Sequence, residues 1–193
     1  MAFAAEVFDV LSKRLKASST FYHLLESGIS FENWITAEFY AALLDGGYWV
    51  EAMPSYPSLG NGRKWSKGDL KVWPKSDHEP EEETASLLIE IKIAGHGTYG
   101  KYYTSIDNDR SKLRGYITQT GKPQAEGMQI ILSFAKSASE YEVVMNKLNS
   151  LSNANPRNKT LLESTDWLKC NLTRKKKSAY TAELLGWHVW RKP

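Results

Sequence analysis

The chain has 193 residues, 41% of them apolar and 24% charged. That composition excludes wholesale disorder. No apolar run approaches the ~20 residues of a membrane span, and a lone Cys170 excludes an internal disulfide or a cysteine-rich zinc site. The net charge of +3 averages two unlike parts: residues 165–193 carry +5 and everything before them −2. The opening residues lack the basic-then-apolar order of a secretory signal, so the expected compartment is the cytoplasm, with no membrane partner.

In chain order, Phe3, Val7, Val10 and Leu11 recur at helical spacing and predict an amphipathic helix over residues 2–16, closed near residues 18–20. A second helix is expected over residues 31–44, with Ser30 as N-cap and Gly46-Gly47 as its stop. Residues 48–53 read as a short strand, broken by Pro54 and Pro57. Residues 55–66 read as a loop turning at Gly60-Asn61-Gly62. A strand over 68–73 ends at Pro74, and an acidic connection over 76–84 leads to the strongest strand, residues 87–94. Residues 95–103, with three glycines, three tyrosines and Lys101, are expected to form a pliable loop. A helix follows over 105–117, with Asp107 as N-cap and Asp109 as a first-turn acid. Its Arg110 and Arg114 share one face, read as solvated surface or as phosphate contacts.

The apolar run 128–134 predicts a strand covered on both faces. Ser139 with Glu142 predicts a capping box opening a helix whose Tyr141, Val144, Met145 and Leu148 share a face. Another helix is expected over 161–170, and a last strand over 187–190, with Trp187 and Trp190 covering a sheet edge. The basic run Arg174, Lys175, Lys176 and Lys177 is either a solvated loop or a phosphate-contacting one. Antiparallel hairpins followed by a crossover helix imply a mixed sheet, so the class is α/β or α+β.

The strand over 87–93 alternates. Leu87, Ile89, Ile91 and Ile93 point to one face, and Leu88, Glu90 and Lys92 to the other. On spacing alone this is a half-exposed strand with polar residues outward. Asp69 opens the preceding strand, however, and hairpin pairing would bring it to Glu90 at one end of the sheet. Two carboxylates brought together need positive charge between them. Mg²⁺, with its preference for oxygen ligands, water and phosphate, is the natural occupant. Lys92 beside it could orient or deprotonate an attacking water, the geometry of phosphodiester hydrolysis.

Gly68-Asp69 followed by Ile89-Glu90-Ile91-Lys92 resembles the Asp…Glu-x-Lys motif of the PD-(D/E)XK nuclease superfamily, with Gly68 where the family often has proline. The resemblance covers about the middle hundred residues. It implies a restriction endonuclease-like α/β fold: a helix, three antiparallel strands, a helix and a strand in a mixed sheet flanked by helices. The nuclease core would span about residues 30–135 of one domain, preceded by the helix over 2–16 and followed by a helical and basic extension over 136–193. Carried over, Asp69 and Glu90 look like the metal-binding acids and Lys92 like the catalytic lysine. The family often adds a glutamate from the first core helix. Glu38, on a largely apolar helix face, is the first choice for it, and Glu32 the alternative; Glu51 is a further acid able to approach.

The activity implied is Mg²⁺-dependent cleavage of nucleic acid, expected to be DNA, with Mn²⁺ as substitute, in a restriction, defence, phage or mobile-element role. Lys101, Tyr102 and the basic run 174–177 are the expected nucleic-acid contacts. The family resemblance also raises a homodimer or larger assembly. A non-catalytic nucleic-acid-binding or assembly subunit on the same fold is the alternative.

Overall fold

The computed structural model describes residues 2–27, 31–55, 67–81, 84–95, 99–119, 125–152, 162–164, 168–173 and 180–191. Two helices come first, α1 (Ala2–Ala17) and α2 (Ser19–Ser27). Ser18 separates them: its N–H still donates to Leu15 O, and its hydroxyl accepts from the Phe21 N–H at 3.1 Å as a cap for the new helix. The serines expected to close the first helix therefore also start a second one, absent from the sequence reading.

Helix α3 (Glu32–Asp45) has Phe31 at its N-cap, with no side-chain cap, and stops at Gly46, followed by Gly47 at φ 82°. That left-handed backbone explains the stop at the Gly46-Gly47 pair. The expected cap, Ser30, lies outside the described residues, as does the turn at Gly60-Asn61-Gly62.

Strands β1 (Trp49–Ala52), β2 (Leu70–Trp73) and β3 (Leu87–Gly95) pair antiparallel in succession. Helix α4 (Tyr99–Gln119) crosses over to β4 (Glu126–Ala135), which runs parallel to β3 along its whole length. Helix α4 begins six residues earlier than the periodicity implied, so Lys101 and Tyr102 lie in a helix and not in a loop. For the same reason Asp107 and Asp109 are mid-helix residues, not a cap and a first-turn acid.

Helix α5 (Ala138–Ser152) opens on a capping interaction two residues before the one expected. The Ser137 hydroxyl accepts from the Glu140 N–H at 3.2 Å, and the Glu140 carboxylate accepts from the Lys136 N–H at 3.0 Å. The chain offers Ser-x-x-Glu twice in overlapping register, and the earlier copy caps.

The helix expected over 161–170 is instead two short strands, β5 (Leu162–Ser164) and β6 (Leu168–Asn171). Leu168-Lys169-Cys170-Asn171 buries alternate residues, the period of a strand. Both pair with β7 (Thr181–Arg191), whose other side is covered by β4 from end to end. Strand β7 is thus interior, and Trp187 and Trp190 do not cover an edge. The seven-stranded mixed sheet runs β1-β2-β3-β4-β7-β5, with β6 also on β7.

Helices flank both faces. On one side α1, α2 and α3 supply Leu11, Phe21, Ile35 and Phe39, packed on Leu70, Ile89, Ile91, Ile130 and Leu184. On the other, α4 and α5 place Leu113, Ile117, Val144 and Leu148 over Leu88, Ile131, Leu185 and Trp187. Each fully buried Leu or Ile contributes about 2 kcal/mol against exposure. Strand β4 is buried almost throughout, as its apolar run implies. No helix among the described residues is long and apolar enough to cross a membrane.

Candidate catalytic site

Strand β3 outruns β2. Their pairing ends at Leu70 opposite Ile89, while β3 continues to Gly95. One step past that last pair, Asp69 comes level with Glu90. The Asp69 carboxylate takes over where the ladder stops: the Ile91 N–H donates to its Oδ2 at 2.7 Å. The backbone of Asp69 is held from the other side, its carbonyl accepting from the Met53 N–H at 2.9 Å. Met53 makes that bond with φ 54°, a left-handed conformation unusual for a non-glycine residue, and Gly68 N–H donates to Pro54 O beside it. Asp69 therefore has a fixed backbone and one fixed carboxylate oxygen.

Beyond Ile89, no described residue of β2 pairs with β3, and groups from both helical layers meet there. Lys92 Nζ donates to Glu32 Oε1 at 3.0 Å, reaching the first turn of α3. The same ammonium lies 3.4 Å from Asp109 Oδ2, on α4. Lys112, one turn along α4, donates to Asp109 Oδ1 at 2.6 Å. The Asp109 side chain is 4% exposed and sits between the two ammonium groups. Glu90, on the same strand face as Lys92, is 2% exposed.

Charge in this cluster is unbalanced. Burial raises the Asp69 carboxyl above its usual range, and the charges of Glu32 and Asp109 add to that, against the Ile91 hydrogen bond and Lys92. For Lys92, burial alone would favour the neutral amine; Asp109, then Glu32 and Asp69, outweigh it and hold the group above its ordinary value. In the metal-free protein Lys92 is therefore held as an ammonium, donating to Glu32.

Among the described residues, no three His, Cys, Asp or Glu side chains are grouped so as to hold a metal ion between them. The strand ends place two acidic residues, Asp69 and Glu90, level in register, next to the carboxylates around Lys92. That fits Mg²⁺, which is commonly held by one or two carboxylates and completes its shell with water and phosphate.

The first-choice helix glutamate is elsewhere. Glu38 Oε2 accepts from Arg14 Nε at 2.7 Å, in a bridge between α1 and α3. A carboxylate on a largely apolar helix face calls for a partner, and here it is an arginine from the preceding layer. Glu32, the alternative, is the helix acid beside Lys92. Glu51 is exposed on β1, opposite Lys71. Asp109 was missed as a site residue because helix-terminus logic explained it away.

Tyr102 is half-buried on α4; the side chain of Lys101 and all of Arg174, Lys175, Lys176 and Lys177 lie outside the described residues. Arg110 is not surface. It is fully buried, donates to Gln129 Oε1 at 2.8 Å and lies 5.0 Å over the Trp187 ring, as does Arg114. Burial, then the neighbouring Arg114, lowers Arg110 to about 10.

No family model, curated protein or solved structure matches this chain.

Proposed function

We propose that the chain is a Mg²⁺-dependent nuclease that hydrolyses phosphodiester bonds, in DNA, on a restriction endonuclease-like core. The observation that carries this reading is the convergence of Asp69, Lys92, Glu32 and Asp109 just past the last β2–β3 pair, with Glu90 on the same strand face. The order α3, β1, β2, β3, α4, β4, with β3 and β4 parallel, is the order that the Asp…Glu-x-Lys resemblance implies.

Asp69 and Glu90 would hold the metal, which when bound supplies a Lewis acid for the phosphate and lowers the pKa of an attacking water. Asp69 presents Oδ1 for this, because Oδ2 is committed to the Ile91 N–H. Lys92 acts as a charged donor. It orients the water or a non-bridging phosphate oxygen and offsets the negative charge that develops there. Without metal, Asp109, Glu32 and Asp69 hold the amine protonated, which supports the donor role. Glu32 and Asp109 fix Lys92 Nζ. Lys112 neutralises Asp109 and, at 35% side-chain exposure, faces incoming phosphate.

The test is incubation of the purified protein with linear, circular and single-stranded DNA and with RNA, plus Mg²⁺ or Mn²⁺, read on a gel. Metal-dependent cleavage that Asp69→Asn abolishes supports the reading. Binding without cleavage under every condition overturns it in favour of a non-catalytic nucleic-acid-binding subunit.

A further inference from the structure

Asp109 carries one negative charge between two cations and divides it unevenly. Its Oδ1 accepts from Lys112 Nζ at 2.6 Å, one turn along α4. Its Oδ2 lies 3.4 Å from Lys92 Nζ, an ion-pair distance beyond the usual hydrogen-bond range. No described group hydrogen-bonds that oxygen, although it is buried. A buried charged acceptor left in this state costs stability. Lys92 meanwhile gives its hydrogen bond to Glu32, at 3.0 Å, on the opposite helical layer. Lys92 is thus fastened firmly on one side, and a small shift of either group would close the other.

The two cations differ in access. The Lys112 side chain is 35% exposed and that of Lys92 15%, so an arriving phosphate meets Lys112 more readily. Asp109 is too deeply buried to exchange a lost cation for water. A buried carboxylate that loses one partner is driven toward the one it keeps. Drawing Lys112 onto a phosphate would therefore bring Asp109 Oδ2 into hydrogen-bond contact with Lys92, which would then be fixed from both helical layers.

We infer that Asp109 is a positioning residue shared by two lysines, and that a substrate phosphate taken up by Lys112 hands it to Lys92. The inference rests on the nuclease reading and narrows its substrate class. The Asp109 carboxylate stands between the two ammonium groups with one oxygen toward each, so the phosphate on Lys112 is a neighbour of the one at Lys92. The preferred substrate is a strand with consecutive phosphates, and an isolated phosphodiester leaves the lysine half-fastened.

The test compares an oligonucleotide with bis(p-nitrophenyl) phosphate, which offers a single phosphodiester, using the full chain with Mg²⁺ or Mn²⁺. Lys112→Ala releases Asp109 permanently. On the isolated diester it should raise kcat about threefold, the worth of one modest hydrogen bond. On the oligonucleotide it should raise KM about tenfold, through the lost phosphate contact. Lys112→Arg should return both values toward those of the unsubstituted protein. Asp109→Asn should lower kcat on both substrates, and adding Lys112→Ala to it should bring no gain on the isolated diester. A kcat on the isolated diester that falls or stays level in Lys112→Ala overturns the inference, as does a gain that persists beside Asp109→Asn. Melting curves check that the Asp109 variant is folded; where it is not, the sign of the Lys112→Ala effect on the isolated diester still decides. Failure of the nuclease reading shows separately, as no cleavage of either substrate by the unsubstituted protein.

Discussion

Asp109 and Arg110 are neighbours on α4, both buried and both charged, yet they serve opposite kinds of environment. Asp109 turns into a cluster of acids and ammonium groups at the open end of β3. Arg110 turns toward the sheet, to an amide and an aromatic ring: Gln129 accepts from it, passes a hydrogen bond on to Ile106 O at 2.9 Å, and Trp187 lies under both Arg110 and Arg114. The arginine region is buried against the sheet, where the Gln129 amide and the Trp187 ring are neutral and Asp107 adds a favourable charge. The lysine region is partly open and crowded with carboxylates. A buried charge in the first arrangement mainly fixes packing, whereas the second keeps unspent negative potential, the condition for taking up a metal ion.

The largest expected effect breaks the lysine region alone. Asp69→Asn should lower metal-dependent cleavage about 10³-fold. It should also raise the melting temperature of the metal-free protein, because a carboxyl held above its usual pKa is a destabilising charge at neutral pH. The sign is fixed by linkage: a raised folded-state value means stability falls as pH rises through it. A drop in melting temperature would show that Asp69 is a structural acid.

Next, Arg110→Ala should cost about 3 kcal/mol in urea unfolding, through the lost hydrogen bond, ring contact and volume. Cleavage per folded molecule should be unchanged. Loss of activity without loss of stability would merge the two regions.

The helix glutamates give a sharper contrast. Glu32→Gln should lower cleavage about 10²-fold by releasing Lys92, while Glu38→Gln should leave cleavage intact and cost at most about 1 kcal/mol, as a partly exposed bridge to Arg14. The reverse ranking would restore Glu38 to the site.

The smallest effect concerns acid. Burial opposes the Glu126 charge, but His188, bonded to it at 2.8 Å, more than offsets this and holds the carboxyl below its usual range. Its contribution is present above the ordinary carboxylate pKa and lost as pH falls through the lower folded value. Glu126→Gln should flatten that acid limb, seen in melting temperature against pH, and leave neutral-pH activity alone; an unchanged limb would remove Glu126 from the account.

Much of the sheet was legible because alternation and apolar runs are local signals. Leu87 to Ile93 alternates, and β4 is apolar throughout. The elements misread were those whose reason lies elsewhere in the chain. Leu168 to Asn171 becomes a strand because β7 offers it an edge. Helix α4 starts at Tyr99 despite a glycine in its first turn, where propensity argued for a loop. At the proposed site, Asp69, Glu90 and Lys92 come from the resemblance to the Asp…Glu-x-Lys motif, because spacing alone reads as a half-exposed strand. The choice between Glu32 and Glu38 could not be made from either, because it depends on Arg14 reaching across from α1, and Asp109 required knowing where its helix began.

Strand β3 also limits how this chain can vary in length. Its odd-numbered residues hold the body together and its even-numbered ones carry Glu90 and Lys92. Adding or removing a residue in the stretch 74–86 lengthens or shortens a connection and leaves parity intact. One residue inserted between Leu87 and Glu90 would exchange the two sets if the pairing with β2 and β4 were kept, turning both charged side chains toward Ile35 and Phe39. Variants selected for nuclease activity should accept length changes freely in that connection and none within the strand.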